Sequence, residues 1–253
     1  MMGFWSNVEK IVREADVILL VVDARMPELS RNKPFDEAII RLRKQLFLIF
    51  NKSDLIDEKA LKELKQNYKR AFFVSGTKNI GVGALRKALL IEWKRMKMRE
   101  RLKIGVVGYP NVGKSAIINC LARRSRALRS PIAGTTRGAQ FVNVGSHLKL
   151  IDSPGVIPLH DSEAKLALLS AKNPEKMKNP VLAAIEIIKM VLEESKKILE
   201  KTYSIALEEI EEPYEILLEI GRRKGKLKKG GIVDEIRTAI DVIRDWQRGF
   251  LRV

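Results

Sequence analysis

The sequence predicts an α/β fold with a mainly parallel sheet, followed by a small all-helical C-terminal domain. Short apolar runs alternate with amphipathic segments over the first 160 or so residues, which is typical of a parallel sheet covered by helices on both faces. Strand patterns then stop and helical spacing takes over. Prolines at positions 174 and 180 favour a boundary there. We therefore expect domains at residues 1–175 and 176–253.

The first elements alternate between helix and strand. Residues 4–13 are predicted to form an amphipathic helix, because their apolar positions fall on one face. Residues 16–22 (DVILLVV) and 45–50 (QLFLIF) are continuous apolar runs, as strands buried on both faces require. Helical patterns at residues 34–43 and 55–69 follow these strands. A short third strand is expected at residues 71–74.

The following elements lead to the second domain. A long helix, strongly basic toward its end, is predicted at residues 83–101, and a fourth strand at 103–107 runs through a glycine-containing loop into a helix at 115–122. Residues 140–144 and 148–151 suggest a hairpin. In the second domain, apolar residues recur at helical spacing from 181 to 210. Further helices are expected at 213–220 and 233–246, with a loop at 221–231 between them.

The composition narrows the function classes. The chain has 48 basic and 31 acidic residues, a net charge of +17, which favours a polyanionic partner over mere solubility. No apolar run approaches the ~20 residues of a membrane span. The N-terminus lacks a cleavable apolar core, so we expect a cytoplasmic protein without a membrane partner. Cys120 is the one cysteine, which excludes an internal disulfide; we interpret it as a small core residue.

A phosphate-binding loop is the strongest motif. Residues 108–115 (GYPNVGKS) match G-x-x-x-x-G-K-S between a predicted strand and a predicted helix, which is the context that the motif requires. Lys114 is expected to reach the β- and γ-phosphates as a catalytic group, and the Ser115 hydroxyl to bind Mg²⁺. The residues expected to bind the phosphates are Asn111, Val112, Gly113, Lys114 and Ser115.

A guanine-recognition motif follows the second strand. The carboxylate of Asp54 can accept two hydrogen bonds from guanine, whereas adenine would leave it buried and unpaired. The four residues 51–54 (NKSD) are by themselves weak evidence for a guanine site, because an ordinary Asn/Asp turn has a similar sequence. Their position directly after a buried strand favours guanine recognition. The backbone N–H of Gly76, after the third strand, is expected to approach guanine O6. The residues expected at the base are Asn51, Lys52, Asp54, Ser75 and Gly76.

A further motif, residues 152–155 (DSPG), follows an apolar strand. Asp152 is expected to hold Mg²⁺ through water, and the Gly155 N–H to touch the γ-phosphate as a second catalytic group. Thr136 is expected to cover Mg²⁺ when triphosphate is bound and to take part in catalysis, with Thr135 the second candidate. The predicted Mg²⁺ residues are Ser115, Thr136 and Asp152.

The order of these motifs is circularly permuted. The base motifs precede the phosphate loop, although an ordinary GTPase presents them last. Because all the sites lie at the carboxyl ends of parallel strands, they converge in space whatever the chain order. The helix at residues 83–101 is expected to join the former ends.

With this order the sequence resembles the circularly permuted GTPases of the ribosome biogenesis GTPase A (YlqF) type. The resemblance is carried by residues 16–27 (DVILLVVDARMP), 30–32 (SRN), 213–225 (PYEILLEIGRRKG), 230–234 (GGIVD) and 244–246 (RDW). Residues 172–203 do not align. The resemblance implies an assembly factor that hydrolyses GTP to GDP and binds a large ribosomal subunit precursor. It also implies K⁺ held near Asn111.

The expected function is therefore a slow GTPase that contacts ribosomal RNA. Val156 stands where many GTPases place a water-orienting glutamine, so we expect the ribosomal particle to stimulate hydrolysis. His160 is nearby, and its ordinary interpretation is an exposed histidine. Two basic segments, residues 93–103 and 222–229, are the predicted RNA contacts, and a monomer is expected.

Two alternative functions stay open from the sequence. The first is a GTPase switch that acts on another RNA or protein partner. The second is a non-enzymatic RNA-binding protein with a vestigial nucleotide site. The motif residues Asp54, Lys114, Ser115 and Asp152 are all intact, which argues against the second alternative.

Overall fold

The order of elements follows the predicted alternation. The computed structural model describes residues 3–31, 33–123, 140–153, 163–169 and 172–251. The strands are β1 (Val17–Asp23), β2 (Gln45–Asn51), β3 (Phe72–Phe73), β4 (Leu102–Val107), β5 (Gln140–Val144) and β6 (Leu148–Asp152). The helices are α1 (Gly3–Glu14), α2 (Pro27–Ser30), α3 (Lys33–Arg41), α4 (Glu58–Asn67), α5 (Val82–Arg95), α6 (Lys114–Arg123), α7 (Glu163–Leu168), α8 (Pro180–Glu194), α9 (Lys196–Tyr203), α10 (Pro213–Arg223) and α11 (Glu235–Arg248).

The strands form one sheet in the order β3-β2-β1-β4-β6-β5. All neighbouring pairs are parallel except β5, which pairs antiparallel with β6 at the edge. Every residue of β1 is buried, as its uninterrupted apolar sequence requires of a central strand. Ile11 and Val12 of α1 pack with Ile18, Leu20 and Phe50 in the core on one face. The mainly parallel α/β fold is confirmed.

The sheet order explains why the permutation is tolerated. β1 lies between β2 and β4, with Val17 opposite Gln45 on one side and Ile104 on the other. The strand that comes first in sequence therefore stands beside the strand that enters the phosphate loop.

The helix that joins the two halves is shorter than predicted. α5 ends at Arg95 and not at residue 101. Lys97 takes a positive φ of 50°, and the Trp93 Nε1–H donates to Glu100 O at 2.8 Å. The chain must turn here to enter β4, and this requirement overrides the helical propensity of the basic segment.

The second unit consists of helices in its described part. The chain divides into Met1–Ile157 and Pro158–Val253, earlier than the predicted boundary between 175 and 176. The reason is α7, which the sequence patterns did not indicate and which packs against α8 and α11. Trp246 is fully buried in this unit, and its Nε1–H donates to Leu168 O at 2.7 Å. No helix within the described residues is long and apolar enough to cross a membrane.

The helical pattern from 181 to 210 is two helices. Ser195, in extended conformation, ends α8 and precedes α9, and Ser204 ends α9 with a φ of +53°. This break lets α9 pack back and bury Leu199 and Tyr203. Cys120 is buried in α6, as expected of a small core residue.

Candidate nucleotide-binding site

The carboxyl ends of neighbouring parallel strands form one edge of the sheet. β1 ends at Asp23, β2 at Asn51 and β6 at Asp152, while β4 leads into the phosphate loop. Since β2, β1, β4 and β6 are adjacent, the permuted motifs meet at this edge.

The loop between β4 and α6 has a backbone that its glycines permit. Gly108 and Gly113 have φ angles of 149° and 95°, which side chains rarely tolerate. A Cβ atom at Gly108 would overlap Val21 O, and one at Gly113 would overlap Asn51 Nδ2. A loop of this kind lets successive backbone N–H groups curl around an anion.

Lys114 folds back over this loop. Its Nζ donates to Gly108 O at 3.0 Å and to Tyr109 O at 2.7 Å. Burial lowers the pKa of Lys114 to about 8, although the Asp152 carboxylate acts to raise it. A bound polyphosphate would replace two neutral carbonyls with charged acceptors, which form stronger hydrogen bonds with an ammonium group.

We expect GDP binding to take up a proton above about pH 8. The free protein then holds Lys114 mostly neutral, because its pKa is about 8, whereas bound phosphates favour the ammonium form. GDP affinity should therefore fall as pH rises through this value. Calorimetry at pH 9 in two buffers of different ionisation heat measures the uptake. Binding without uptake at pH 9, or uptake of the same size in Lys114→Met, would contradict this assignment.

The lowered pKa of Lys114 makes the stability of the fold rise with pH, whereas GDP affinity falls. A lysine whose pKa is lower in the folded than in the unfolded protein destabilises the fold at any pH at which the folded protein must carry its charge. For Lys114 this penalty is full below about pH 8. It declines as pH rises from 8 toward the unfolded value of 10.5.

Asn51 links the phosphate loop to the base motif. Its Nδ2 donates to Val112 O at 2.7 Å, and its Oδ1 accepts the Gly76 N–H at 3.0 Å. Both ends of the amide thus contact the protein, so in this structure Asn51 positions two loops. The Gly76 N–H, predicted to approach guanine O6, is directed at Asn51. A Cβ at Gly76 would lie 3.0 Å from Ala116 Cβ, so this turn packs closely on α6.

Asp54 carries the carboxylate predicted to recognise guanine. Its side chain is 8% exposed, and Oδ2 lies 3.1 Å from the Nζ of half-exposed Lys78. Burial raises the pKa of Asp54, but hydrogen bonds from the Ser75 and Lys78 side chains lower it by more than burial raises it. The pKa of Asp54 is therefore below its ordinary value. The carboxylate is therefore ionised at neutral pH, as an acceptor for two N–H groups must be.

The predicted Mg²⁺ residues described by the structure lie together. Ser115 Oγ, at the start of α6, is 3.5 Å from Asp152 Oδ2 at the end of β6. A hydroxyl and a carboxylate are oxygen ligands of the kind that Mg²⁺ accepts beside nucleotide phosphates. Within the described residues, no group of three or more His, Cys, Asp and Glu side chains could hold a metal ion by itself.

Other predicted residues are not described. Thr136 and Gly155 lie outside the described residues, as do Thr135, Val156 and His160. Their roles at Mg²⁺, at the γ-phosphate and at the attacking water stay predictions.

A buried ion cluster beside the base motif was missed by sequence reasoning. The Asp23 carboxylate accepts hydrogen bonds from Arg25 and from Lys52 Nζ, the latter at 2.7 Å. Burial raises the pKa of Asp23, but Arg25 and Lys52 together lower it to about 2. Asp23 at the end of the fully buried strand β1 could have indicated this cluster. From the sequence, that residue was used only as part of the family resemblance at residues 16–27.

The fold and the site together define a P-loop GTPase domain with circularly permuted motifs. A GDP-bound structure of YlqF from T. maritima superposes on the chain with a TM-score of 0.64 at 25% identity, covering 97% of this chain and 95% of that one. Residues 103–220 match the family described as 50S ribosome-binding GTPase. In fold and in motif order, the chain is similar to the circularly permuted GTPases of the YlqF type.

Curated relatives extend the comparison. The chain is 39% identical over 245 residues to an uncharacterized GTP-binding protein, MJ1464, of Methanocaldococcus jannaschii, covering 96% of this chain and 65% of the relative. It is 35% identical over 254 residues to nucleolar GTP-binding protein 2 of Pneumocystis carinii, covering 97% of this chain and 52% of the relative. The chain thus spans between about half and two thirds of these two proteins.

Proposed function

We propose that the protein binds GTP with Mg²⁺ and hydrolyses it slowly to GDP and phosphate. The observation that carries this proposal is the link through Asn51, whose side chain joins the phosphate loop at Val112 to the turn at Gly76. Phosphate and base contacts are thereby held at a defined separation, with the Asp54 carboxylate beside them. The GDP-bound state of T. maritima YlqF supports the same ligand.

The residues divide the chemical work. The loop N–H groups and Lys114 would hold the β- and γ-phosphates, and Lys114 would stabilise the negative charge that develops on the leaving β-phosphate oxygen. Ser115 and Asp152 would hold Mg²⁺, which neutralises phosphate charge when bound. Water attacks the γ-phosphorus and the bond to the bridging oxygen breaks. With Val156 after the DSPG motif, the water-orienting group must come from elsewhere, so we expect a ribosomal particle to accelerate hydrolysis.

Nucleotide competition tests this proposal directly. GTP hydrolysis should be unaffected by an equal concentration of ATP and should stop when Mg²⁺ is chelated. Equal competition by ATP would overturn the guanine assignment. The same assay in K⁺ and in Na⁺ tests the predicted ion near Asn111, and equal rates would remove that ion from the proposal.

We propose a large ribosomal subunit precursor, contacted through its RNA, as the partner. Support comes from the 50S ribosome-binding description of the matching family, from the nucleolar relative and from the net charge of +17. The proposal includes action as a monomer, a location in the cytoplasm and an RNA-binding role for the helical region from about residue 176. The alternative is a GTPase switch on another RNA or protein. Co-sedimentation with large-subunit precursors, in GDP and in a non-hydrolysable GTP analogue, separates the two.

The basic segment at 222–229 contains two kinds of cation. Three are held by carboxylates: Arg222 by Glu219, Lys224 by Asp245 and Lys226 by Asp241, at 2.8–2.9 Å. The others are exposed and, within the described part of the chain, have no acidic side chain in ion-pair range: Arg223, Lys228 and Lys229. Gly225, Gly230 and Gly231 have positive φ angles and open space around them. The loop thus presents its second set of cations to a partner.

Neutralising the second set should weaken precursor binding and its salt dependence. We expect the triple variant Arg223→Gln, Lys228→Gln, Lys229→Gln to reduce the slope of log affinity against log salt by about 2, close to one phosphate contact per cation. The matched control neutralises the ion-paired set, Arg222, Lys224 and Lys226, with the same change in net charge. Equal slopes for the two triple variants, measured by sedimentation across a salt series, would contradict the assignment.

A second basic surface lies on the first unit. The Trp93 ring stacks on exposed His147 with centroids 4.0 Å apart, which brings the hairpin between β5 and β6 beside residues 93–103. Lys103 and Lys149 are directly opposite on neighbouring strands, an unfavourable like-charge pair that an RNA phosphate would relieve. Lys149 Nζ lies 4.2 Å from the ring centroid of half-exposed Phe141. Phosphate and base contacts are both available here, which supports the choice of RNA as partner.

A further inference from the structure

The ion cluster of Asp23, Arg25 and Lys52 lies where β1 and β2 end, next to the residues predicted to bind the base. Arg25 Nε lies 3.0 Å from Asp23 Oδ1, and its Nη2 lies 2.8 Å from Oδ2. Lys52 Nζ contacts the same Oδ2 at 2.7 Å. The side chains of Asp23 and Arg25 are 0% exposed and that of Lys52 is 17% exposed. Two buried charges and a third that is mostly covered are costly to assemble, and neither the phosphate contacts nor the Mg²⁺ contacts use them.

The backbone around the cluster is held as tightly as the charges. Asp23 is opposite Asn51 in the register of β1 and β2, and the Ala24 N–H donates to Asn51 O at 2.8 Å. The Asp23 N–H donates to Ser30 Oγ at 2.9 Å. Lys52 has a φ of +62°. The carboxylate is thereby immobilised before any ligand arrives, with a lysine attached to it.

The path of the Lys52 side chain follows from these contacts. Its backbone continues from the end of β2, and its ammonium group lies at the end of β1, the next strand toward the phosphate loop. A nucleotide whose base edge reaches Asp54 and whose phosphates reach Lys114 must pass this side chain. The four methylene groups of a lysine stem offer an apolar surface for the flat face of a purine.

We propose that Asp23 is a positioning residue for purine recognition, which holds Lys52 by its ammonium group so that the methylene stem lies against the face of the guanine base. Arg25 holds Asp23 in turn. Without the anchor, the ammonium group would turn to water and the stem would have to be ordered on each binding event, which lowers affinity. The inference rests on the guanine-nucleotide binding in the proposed function and adds a residue outside the nucleotide-binding motifs.

Equilibrium binding of three ligands separates base from phosphate contacts. The ligands are GDP, inosine diphosphate, which lacks the 2-amino group, and inorganic tripolyphosphate. In Asp23→Asn we expect about tenfold weaker binding of both nucleotides, because the face contact is shared. Their affinity ratio should stay within about twofold of the normal one, because Asp54 reads the edge, and tripolyphosphate affinity should not change. Loss of tripolyphosphate binding together with GDP binding would overturn the proposal in favour of a merely structural cluster.

A double-mutant cycle tests whether Asp23 acts through Lys52. The double variant Asp23→Asn, Lys52→Gln should bind GDP about as weakly as Lys52→Gln alone. Once Lys52 is replaced, Asp23 no longer has a lysine to position, so its own replacement causes no further loss. Additive losses would overturn the proposal. The matched control is Asp36→Asn. This change breaks the ion pair between Arg31 Nε and Asp36 Oδ2, which are 2.8 Å apart. The pair is not part of the nucleotide site, so GDP binding should be unchanged.

Thermal unfolding of each variant is followed in parallel. If Asp23→Asn does not fold, Arg25→Gln replaces it, with the same pattern expected at about threefold, because Lys52 keeps its contact with a less firmly held carboxylate. Unchanged GDP affinity in a folded Asp23→Asn or Arg25→Gln protein would overturn the proposal. Absence of GDP binding in the unaltered protein would instead overturn the proposed function.

Discussion

Replacing Asp54 with Asn should weaken GDP binding by about 10²- to 10⁴-fold, since two hydrogen bonds to a charged acceptor contribute about 1.5–3 kcal/mol each. The asparagine amide would present a donor to the guanine 2-amino group, which is itself a donor. Xanthine diphosphate carries an acceptor at that position and should bind the variant more tightly than GDP does. Competition against a fluorescent GDP analogue measures both affinities.

Lys78 provides the control for this substitution. Asp54→Asn also removes the Lys78 ion pair, so Lys78→Met tests the pair alone. Because Lys78 is half exposed, the pair contributes little, at most about 1 kcal/mol. A guanine base would displace this lysine, so Lys78→Met should leave GDP affinity unchanged or raise it a few-fold. A Lys78→Met protein that loses GDP binding as Asp54→Asn does, or an Asp54→Asn protein that still prefers GDP to xanthine diphosphate, would contradict the assignment of the carboxylate.

Replacing Gly113 with Ala should remove most nucleotide binding and destabilise the first unit. The added Cβ would overlap Asn51 Nδ2 and would stand at a φ of 95°. Overpacking and backbone strain together should lower the free energy of unfolding by about 2–5 kcal/mol. Because Asn51 joins the phosphate loop to the Gly76 turn, displacing it moves phosphate and base contacts together, and GDP affinity should fall by more than about 100-fold. Urea unfolding and GDP titration measure the two effects.

Gly225→Ala separates backbone strain from overlap. Gly225 has a φ of +64°, but nothing lies within 4 Å of an added Cβ. We expect a loss of about 1 kcal/mol in stability, from the left-handed backbone alone, and unchanged GDP binding. If Gly113→Ala were no more destabilising than Gly225→Ala and still bound GDP normally, the Asn51 link would not be needed.

The agreement between sequence and structure is closest where a pattern is local. β1 could be predicted from its apolar run, because a strand buried on both faces has no place for polar residues in its interior. The apolar run of β2 located that strand as well, but only Ile49–Asn51 are buried and Gln45 at its start is exposed. The end of α5 could not be predicted, because helical propensity continues to residue 101 while the position of β4 requires a turn after Arg95. The break at Ser195 is similar: nothing in the spacing shows that Leu199 and Tyr203 must turn back to be buried.

The amino-acid sequence by itself predicted the class of the protein, the phosphate loop and Asp54 as the carboxylate for guanine. Each depends on residues within a few positions of one another, at the end of a recognisable strand. Only the tertiary structure decided that Asn51 links two loops and that Lys52 is anchored by Asp23. It also decided that three of the cations at residues 222–229 are already paired. These contacts join residues up to 61 positions apart. They depend on how strands and helices are placed side by side, and local sequence spacing carries no record of that placement.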